Sequence, residues 1–171
     1  MDKYCMKNTH TNTYQLKKDE TREIVLEKPG NYVVELLGSG AQVKIQGAFL
    51  AQKAEQKEIT VTIYHKAPHT RADTVIKGVG KDSSHLKIIG RIIIEKDCGD
   101  SQSFLTERVL LLSDTAHAET VPDLEIKTDD VMCSHAASVT YLSEEQLFYL
   151  QARGITRTEA EAMLVEGFLE I

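Results

Sequence analysis

Ile59-Thr60-Val61-Thr62-Ile63-Tyr64 alternates apolar and hydroxyl-bearing residues with a period of two. On a strand this places Ile59, Val61 and Ile63 on one face and the hydroxyls on the other, and the β-branched side chains suit the pleat. The same pattern spreads in both directions. Segments 31–37, 41–49, 74–79, 85–95, 108–112, 124–127 and 131–139 read as further short strands. Pro29-Gly30, Gly38-Ser39-Gly40, Ala67-Pro68-His69 and Gly80-Lys81-Asp82-Ser83 supply turns between them. Many short strands with compact turns fit a sandwich, a barrel or a β-helix. The apolar runs are irregularly spaced and show no clean internal repeat, so spacing leaves that choice open. Residues 1–20 read as a polar lead-in, ahead of a β body over 21–142.

After Leu142 the pattern becomes helical. Ser143-Glu144-Glu145-Gln146 and Thr156-Arg157-Thr158-Glu159 each have the form of a capping box. The first opens a helix running to Arg153, with Gly154 at the left-handed C-terminal cap. The second opens a helix whose apolar face is Ala160, Met163, Leu164 and Phe168. Residues 143–171 hold six Glu and two Arg, so this tail carries −4 of the net charge of −6. Such a tail reads as a docking element or as a solvated helix face.

Composition narrows the function classes. The chain has 171 residues, room for one domain, and its 42% hydrophobic and 27% charged residues match an ordinary folded protein. The net charge has the wrong sign for a nucleic-acid binder, and four Phe, six Tyr and no Trp offer few platforms for bases. Cys5, Cys98 and Cys133 have no paired spacing, the first residues lack an apolar signal region, and no apolar run is long enough for a membrane span. The expectation is a cytoplasmic protein that binds neither nucleic acid nor membrane.

No strong catalytic motif is present. The Gly80-Lys81-Asp82-Ser83 segment fails as a phosphate loop, because Val75 stands where the first Gly belongs and Asp82 where Ser or Thr is needed. Cys133-Ser134-His135 is the one local combination of sulfur and nitrogen ligands. At positions i and i+2 of a strand, Cys133 and His135 share a face, as two ligands of one metal must. A closed site needs about four ligands, so others would come from elsewhere in the chain, such as His117, or from a second subunit. A plain structural role on the strand face is the alternative.

Four blocks in order carry a resemblance. They are Leu110-Leu111-Leu112-Ser113-Asp114, Pro122-Asp123-Leu124-Glu125-Ile126, Asp129-Asp130-Val131-Met132-Cys133-Ser134-His135-Ala136-Ala137-Ser138 and Glu145-Gln146-Leu147-Phe148-Tyr149-Leu150-Gln151-Ala152-Arg153-Gly154-Ile155. Together they resemble the C-terminal signature of the SufB/SufD family of iron–sulfur cluster assembly proteins. His65-Lys66-Ala67-Pro68-His69-Thr70 and Lys77-Gly78-Val79 also look like that family's β core. The resemblance covers roughly residues 55 to 171.

It implies a mainly β fold, a right-handed parallel β-helix followed by a C-terminal two-helix segment. It also implies a non-catalytic scaffold whose tail docks a SufC-type ATPase through Gln146, Phe148, Tyr149, Arg153, Gly154 and Ile155. The chain looks closer to the SufD branch, because Asp114-Thr115-Ala116-His117 stands where the SufB-type block has a Cys and a Gly ahead of its His. The SufD-type Cys-Ser-His block is present, and the resemblance assigns cluster assembly to its His, here His135 with Cys133 beside it. Ala136 and Ser138 depart from the family's Gly and Thr. Typical members are more than twice as long, with an N-terminal domain and many coils that have no counterpart here.

The expected cargo is a transient iron–sulfur cluster, with no tightly bound cofactor. The expected partners are the ATPase and either a SufB-like subunit or a second copy in a homodimer. The competing readings are a β-helical interaction module that has lost cluster chemistry, and a carbohydrate-active β-helix, for which Asp129-Asp130 alone supplies too few carboxylates.

Overall fold

The alternation at 59–64 forms the middle of a ten-residue strand, Gln56–His65, in which Ile59, Val61 and Ile63 are fully buried. This strand is β5 in a computed structural model that describes residues 11–170. Its neighbours in chain order are β1 (Thr11–Leu16), β2 (Thr21–Leu26), β3 (Gly30–Leu36), β4 (Gln42–Ala51), β6 (Arg71–Gly80), β7 (His85–Ile94), β8 (Ser101–Leu111), β9 (His117–Ile126) and β10 (Val131–Tyr141). Two helices follow, α1 (Glu144–Gln151) and α2 (Arg157–Leu169).

Odd-numbered strands form one sheet, in the order β1-β3-β5-β7-β9, and even-numbered strands form the other, β10-β8-β6-β4-β2. Every pairing is parallel. The chain therefore runs up one sheet and back along the other, turn after turn, and is a parallel β-solenoid of about four turns. Both sheets hide one face from water, so the inward positions form a continuous aliphatic core from Leu16 to Leu111.

A repeat is present that the spacing of apolar runs conceals. The register offset is 20 residues at Thr11↔Asn31, 29 at Gly30↔Ile59 and 32 at His85↔His117. Connections vary in length, from residues 27–29 to residues 95–100, and this blurs the period in the sequence. The lead-in of residues 1–20 also contains a strand: β1 pairs with β3 and buries Leu16, while its exposed hydroxyl and amide side chains give it a polar composition. Cys5, His10 and the rest of residues 1–10 lie outside the described residues.

The turns stack as the strands do. Lys53 and Asp82 both adopt left-handed backbone, with φ of 59° and 60°. The Lys53 N–H donates to Asp82 Oδ2 at 2.8 Å, and the Asp82 N–H donates to Ser113 Oγ at 2.9 Å in the turn after. The segment at 80–83 is thus a turn, as its sequence implies. Gly38 serves the same stacking sterically: a Cβ there would lie 2.1 Å from the Lys18 backbone nitrogen.

The helical tail begins where its caps place it. Ser143 accepts from the Gln146 N–H, and Thr156 with Glu159 completes a reciprocal capping box. Gly154 has φ of 85°. Each helix buries little, Leu147 in α1 and Ala160 in α2. Surface ion pairs accompany these contacts: Arg157 reaches Glu144 between the helices at 2.6 Å, and Lys81 at the end of β6 reaches Glu161 at 2.6 Å.

Three stability tests follow from these contacts. Ile63→Ala empties part of a fully buried column and is expected to cost about 2–5 kcal/mol in chemical denaturation. Gly38→Ala forces a backbone clash and should cost roughly 2 kcal/mol, whereas Gly167→Ala, in open space within α2, should gain up to about 1 kcal/mol. An equal sign for the two glycine changes would contradict the stacking.

The third test uses pH. His65 is fully buried, with Nδ1 2.7 Å from Thr70 Oγ1 and Nε2 unpartnered, and burial pushes its pKa down to about 4. The unfolded chain takes up this proton near 6.5, so the neutral ring contributes stability above pH 6.5 that is lost as pH falls towards 4. Unfolding free energy should drop by about 3 kcal/mol across that window, and the His65→Gln variant should lose this slope.

Candidate functional site

Parallel pairing places residues at equal register on one another, so the inward columns of the even-numbered sheet can be read strand by strand. Ile45, Thr74, Leu105 and His135 form one column, Val43, Ala72, Ser103 and Cys133 a second, and Gly47, Ile76, Glu107 and Ala137 a third. The first turns are aliphatic there apart from Thr74, and the last two carry Ser103, Glu107, Cys133 and His135. Strand parity thus turns Cys133 and His135 inward together, as the i, i+2 spacing requires.

His135 and Glu107 form the centre of this polar end. Their side chains are 2% and 0% exposed, and His135 Nε2 lies 3.6 Å from Glu107 Oε1. That is too long for a hydrogen bond. Both ring nitrogens and both carboxylate oxygens are buried without a hydrogen-bond partner, a costly state for polar atoms. The opposite wall is Gly90 on β7, where a Cβ would come within 2.4 Å of Glu107 Oε1 and 2.9 Å of His135 Cε1. The pair thus already occupies the volume that a side chain at position 90 would need.

Cys133 packs against the edge of the core as a free thiol, and burial pushes its pKa up, so it remains protonated in the absence of a metal. His117 is separated from this group. It opens β9 on the outer face, in register with His85, and the two rings lie 6.5 Å apart. Among the described residues, no three His, Cys, Asp or Glu side chains converge on a metal position. Imidazole, carboxylate and thiol are nevertheless donors suited to a first-row metal ion.

The sequence reading missed Glu107 and Gly90. It started the strand at 108, whereas β8 starts at Ser101. Alternation from Ser101 through Ser103, Leu105, Val109 and Leu111 would have turned Glu107 inward.

The tail positions singled out in the sequence are mostly open to solvent. Phe148 is 72% and Tyr149 57% exposed. The Arg153 guanidinium stacks 3.4 Å from the centre of the Tyr149 ring and donates to the Tyr149 carbonyl. Gln146 lines a groove with Tyr141, Leu142, Met163, Leu164 and Phe168, while Gly154 and Ile155 form the bend between the helices. Phe148 and Tyr149 thus form an exposed aromatic pair on a short, capped helix.

Comparison with known proteins agrees with this architecture. Residues 28–168 match the SUF system FeS cluster assembly SufBD core domain, a match that begins upstream of the region around residue 55 where resemblance is evident by eye. An iron-sulfur cluster assembly SufBD family protein of Staphylococcus saprophyticus is 33% identical over 135 residues, 79% of this chain and 29% of that protein. Its counterpart in Mycobacterium bovis is 32% identical over 135 residues, 79% of this chain and 16% of that protein. The chain spans less than a third of the length of these relatives. With residues 28–168 matched by the family's core domain, the chain belongs to the SufBD core family of the iron–sulfur cluster assembly system.

Proposed function

We propose that the protein is a non-catalytic scaffold of SufD type, which holds iron or a nascent cluster at His135 and docks a SufC-like ATPase through α1 and the bend after it. The observation that carries this reading is the buried, unpartnered imidazole of His135 on the last strand of a SufBD core. The Cys-Ser-His block, and Asp114-Thr115-Ala116-His117 where the SufB type has Cys and Gly, favour the SufD branch. We place the function in the cytoplasm, where reducing conditions keep thiols such as Cys98 and Cys133 free. No helix among the described residues is long and apolar enough to cross a membrane.

Two edges support a partner subunit, SufB-like or a second copy. β9 and β10 end their sheets, and the inward residues Leu124, Ile126 and Val139 at that end are each more than 40% exposed. Unpaired parallel edges with apolar interior showing are a template for another chain.

Anaerobic reconstitution with iron and sulfide should give the visible absorption of a cluster in the native chain and lose it in the Cys133→Ala/His135→Ala variant. Unchanged uptake rejects the assignment. In a pull-down with a SufC-like ATPase, Phe148→Ala/Tyr149→Ala should weaken capture roughly 30-fold, since an aromatic anchor contributes about 2 kcal/mol, without altering the melting temperature. Docking that persists alongside lost cluster uptake would leave a β-helical interaction module. Light scattering reports association directly, and a stable monomer at working concentration rejects the homodimer.

A further inference from the structure

Glu107 lies outside every motif singled out in the sequence. It is fully buried, its two oxygens have no hydrogen-bond partner, and it faces the one imidazole to which the proposed function assigns the cargo. We propose that Glu107 is the second protein ligand of that metal, so that a divalent first-row cation binds inside the last two turns between Glu107 Oε1 and His135 Nε2. The inference rests on the reading of His135 as a ligand.

Spacing is the first reason. An ion with tetrahedral bonds of about 2.0–2.2 Å holds two of its ligands about 3.4 Å apart. The observed 3.6 Å fits that separation and exceeds the 2.7–2.9 Å of a charge-assisted hydrogen bond. Desolvation is the second. A carboxylate buried without donors is strongly unfavourable unless a cation meets it, and His135 at this distance donates no hydrogen bond.

Position 90 is the third reason. The pair already occupies the volume over Gly90, where a Cβ would lie 2.4 Å from the carboxylate oxygen, so any larger residue there would displace Glu107 from its place beside His135. Access is the fourth: the interior beyond the pair opens to solvent at Leu124 and Ile126. Two protein donors leave the remaining coordination positions to water, sulfide or a partner's side chain. Such an open coordination shell suits cargo better than a closed structural site.

The test titrates the full chain anaerobically with Co2+ as the probe metal, following its visible absorption and the shift in melting temperature. The native chain should bind one equivalent and melt higher in its presence. Glu107→Gln and Glu107→Leu should each weaken binding at least tenfold and abolish the metal-induced shift, while melting without metal at or above the native temperature because an uncompensated buried charge has gone. His135→Ala should weaken binding to the same degree. Native affinity in both Glu107 variants overturns the proposal. If His135→Ala alone loses binding, Glu107 is no ligand and the His135 assignment stands. If neither residue affects binding but cluster reconstitution still depends on His135, the ion site falls and the scaffold reading survives. Loss of both dependences rejects both.

Discussion

The hydrogen-bond ladder between successive turns sets each inward side chain against the one at the same register in the turn before. Everything inside the solenoid must satisfy this stacking. Ile59 on Ile88 and Ile63 on Ile92 satisfy it directly, with like residues at like heights. Where a large side chain crosses from the other sheet, the column yields space through glycine. A Cβ at Gly78 would meet Leu86 Cδ2 at 2.2 Å, and within the even-numbered sheet one at Gly80 would meet Cδ2 of its register partner Leu111 at 2.9 Å. Small residues opposite large ones keep the interior filled without strain, as close packing demands.

Along the stack, the inner face of the even-numbered sheet changes character. Val43, Ile45 and Gly47 are replaced two turns later by Ser103, Leu105 and Glu107, and one turn beyond by Cys133, His135 and Ala137. Each buried polar group without a partner works against folding, and Thr74 and Ser103 join Glu107 and His135 in that state. The first turns fold mainly on aliphatic burial. Their surplus stability is what allows the last two turns to carry groups that packing alone would reject.

How much of this the sequence reveals depends on the range over which each signal acts. The helical tail is legible because its caps are local: Ser143 with Gln146, and Thr156 with Glu159, are three residues apart. The β character of 59–64 is equally local, since alternation needs only neighbours. β1 is hidden because just one of its residues, Leu16, is buried, so its composition reads as solvent-facing lead-in. The period is hidden by unequal connections. The pair formed by Glu107 and His135, with Gly90 opposite, is the hardest to read, because three strands from two sheets bring it together and no short segment contains it. A correct start for β8 would have turned Glu107 inward, but only the register places it beside His135 and not beside another turn.

The tail does not close the open end of the solenoid. α2 lies against β6, held by Lys81 on Glu161 and by Lys77, whose ammonium donates to the Glu170 carbonyl and sits over the Phe168 ring. It therefore covers the outer face of the even-numbered sheet and leaves the free edge of β10 without a strand partner among the described residues. A chain added at that edge would gain the ladder hydrogen bonds and bury Leu124, Ile126 and Val139. It would also add a further layer over His135 and Glu107, which are already buried. On the proposed reading, association at the edge and retention of an ion beneath it would be linked equilibria. If a partner tightens metal binding by some factor, the metal must tighten partner binding by the same factor. On the proposed reading, such a scaffold would hold its cargo more tightly while paired than alone, with no moving part beyond the edge itself.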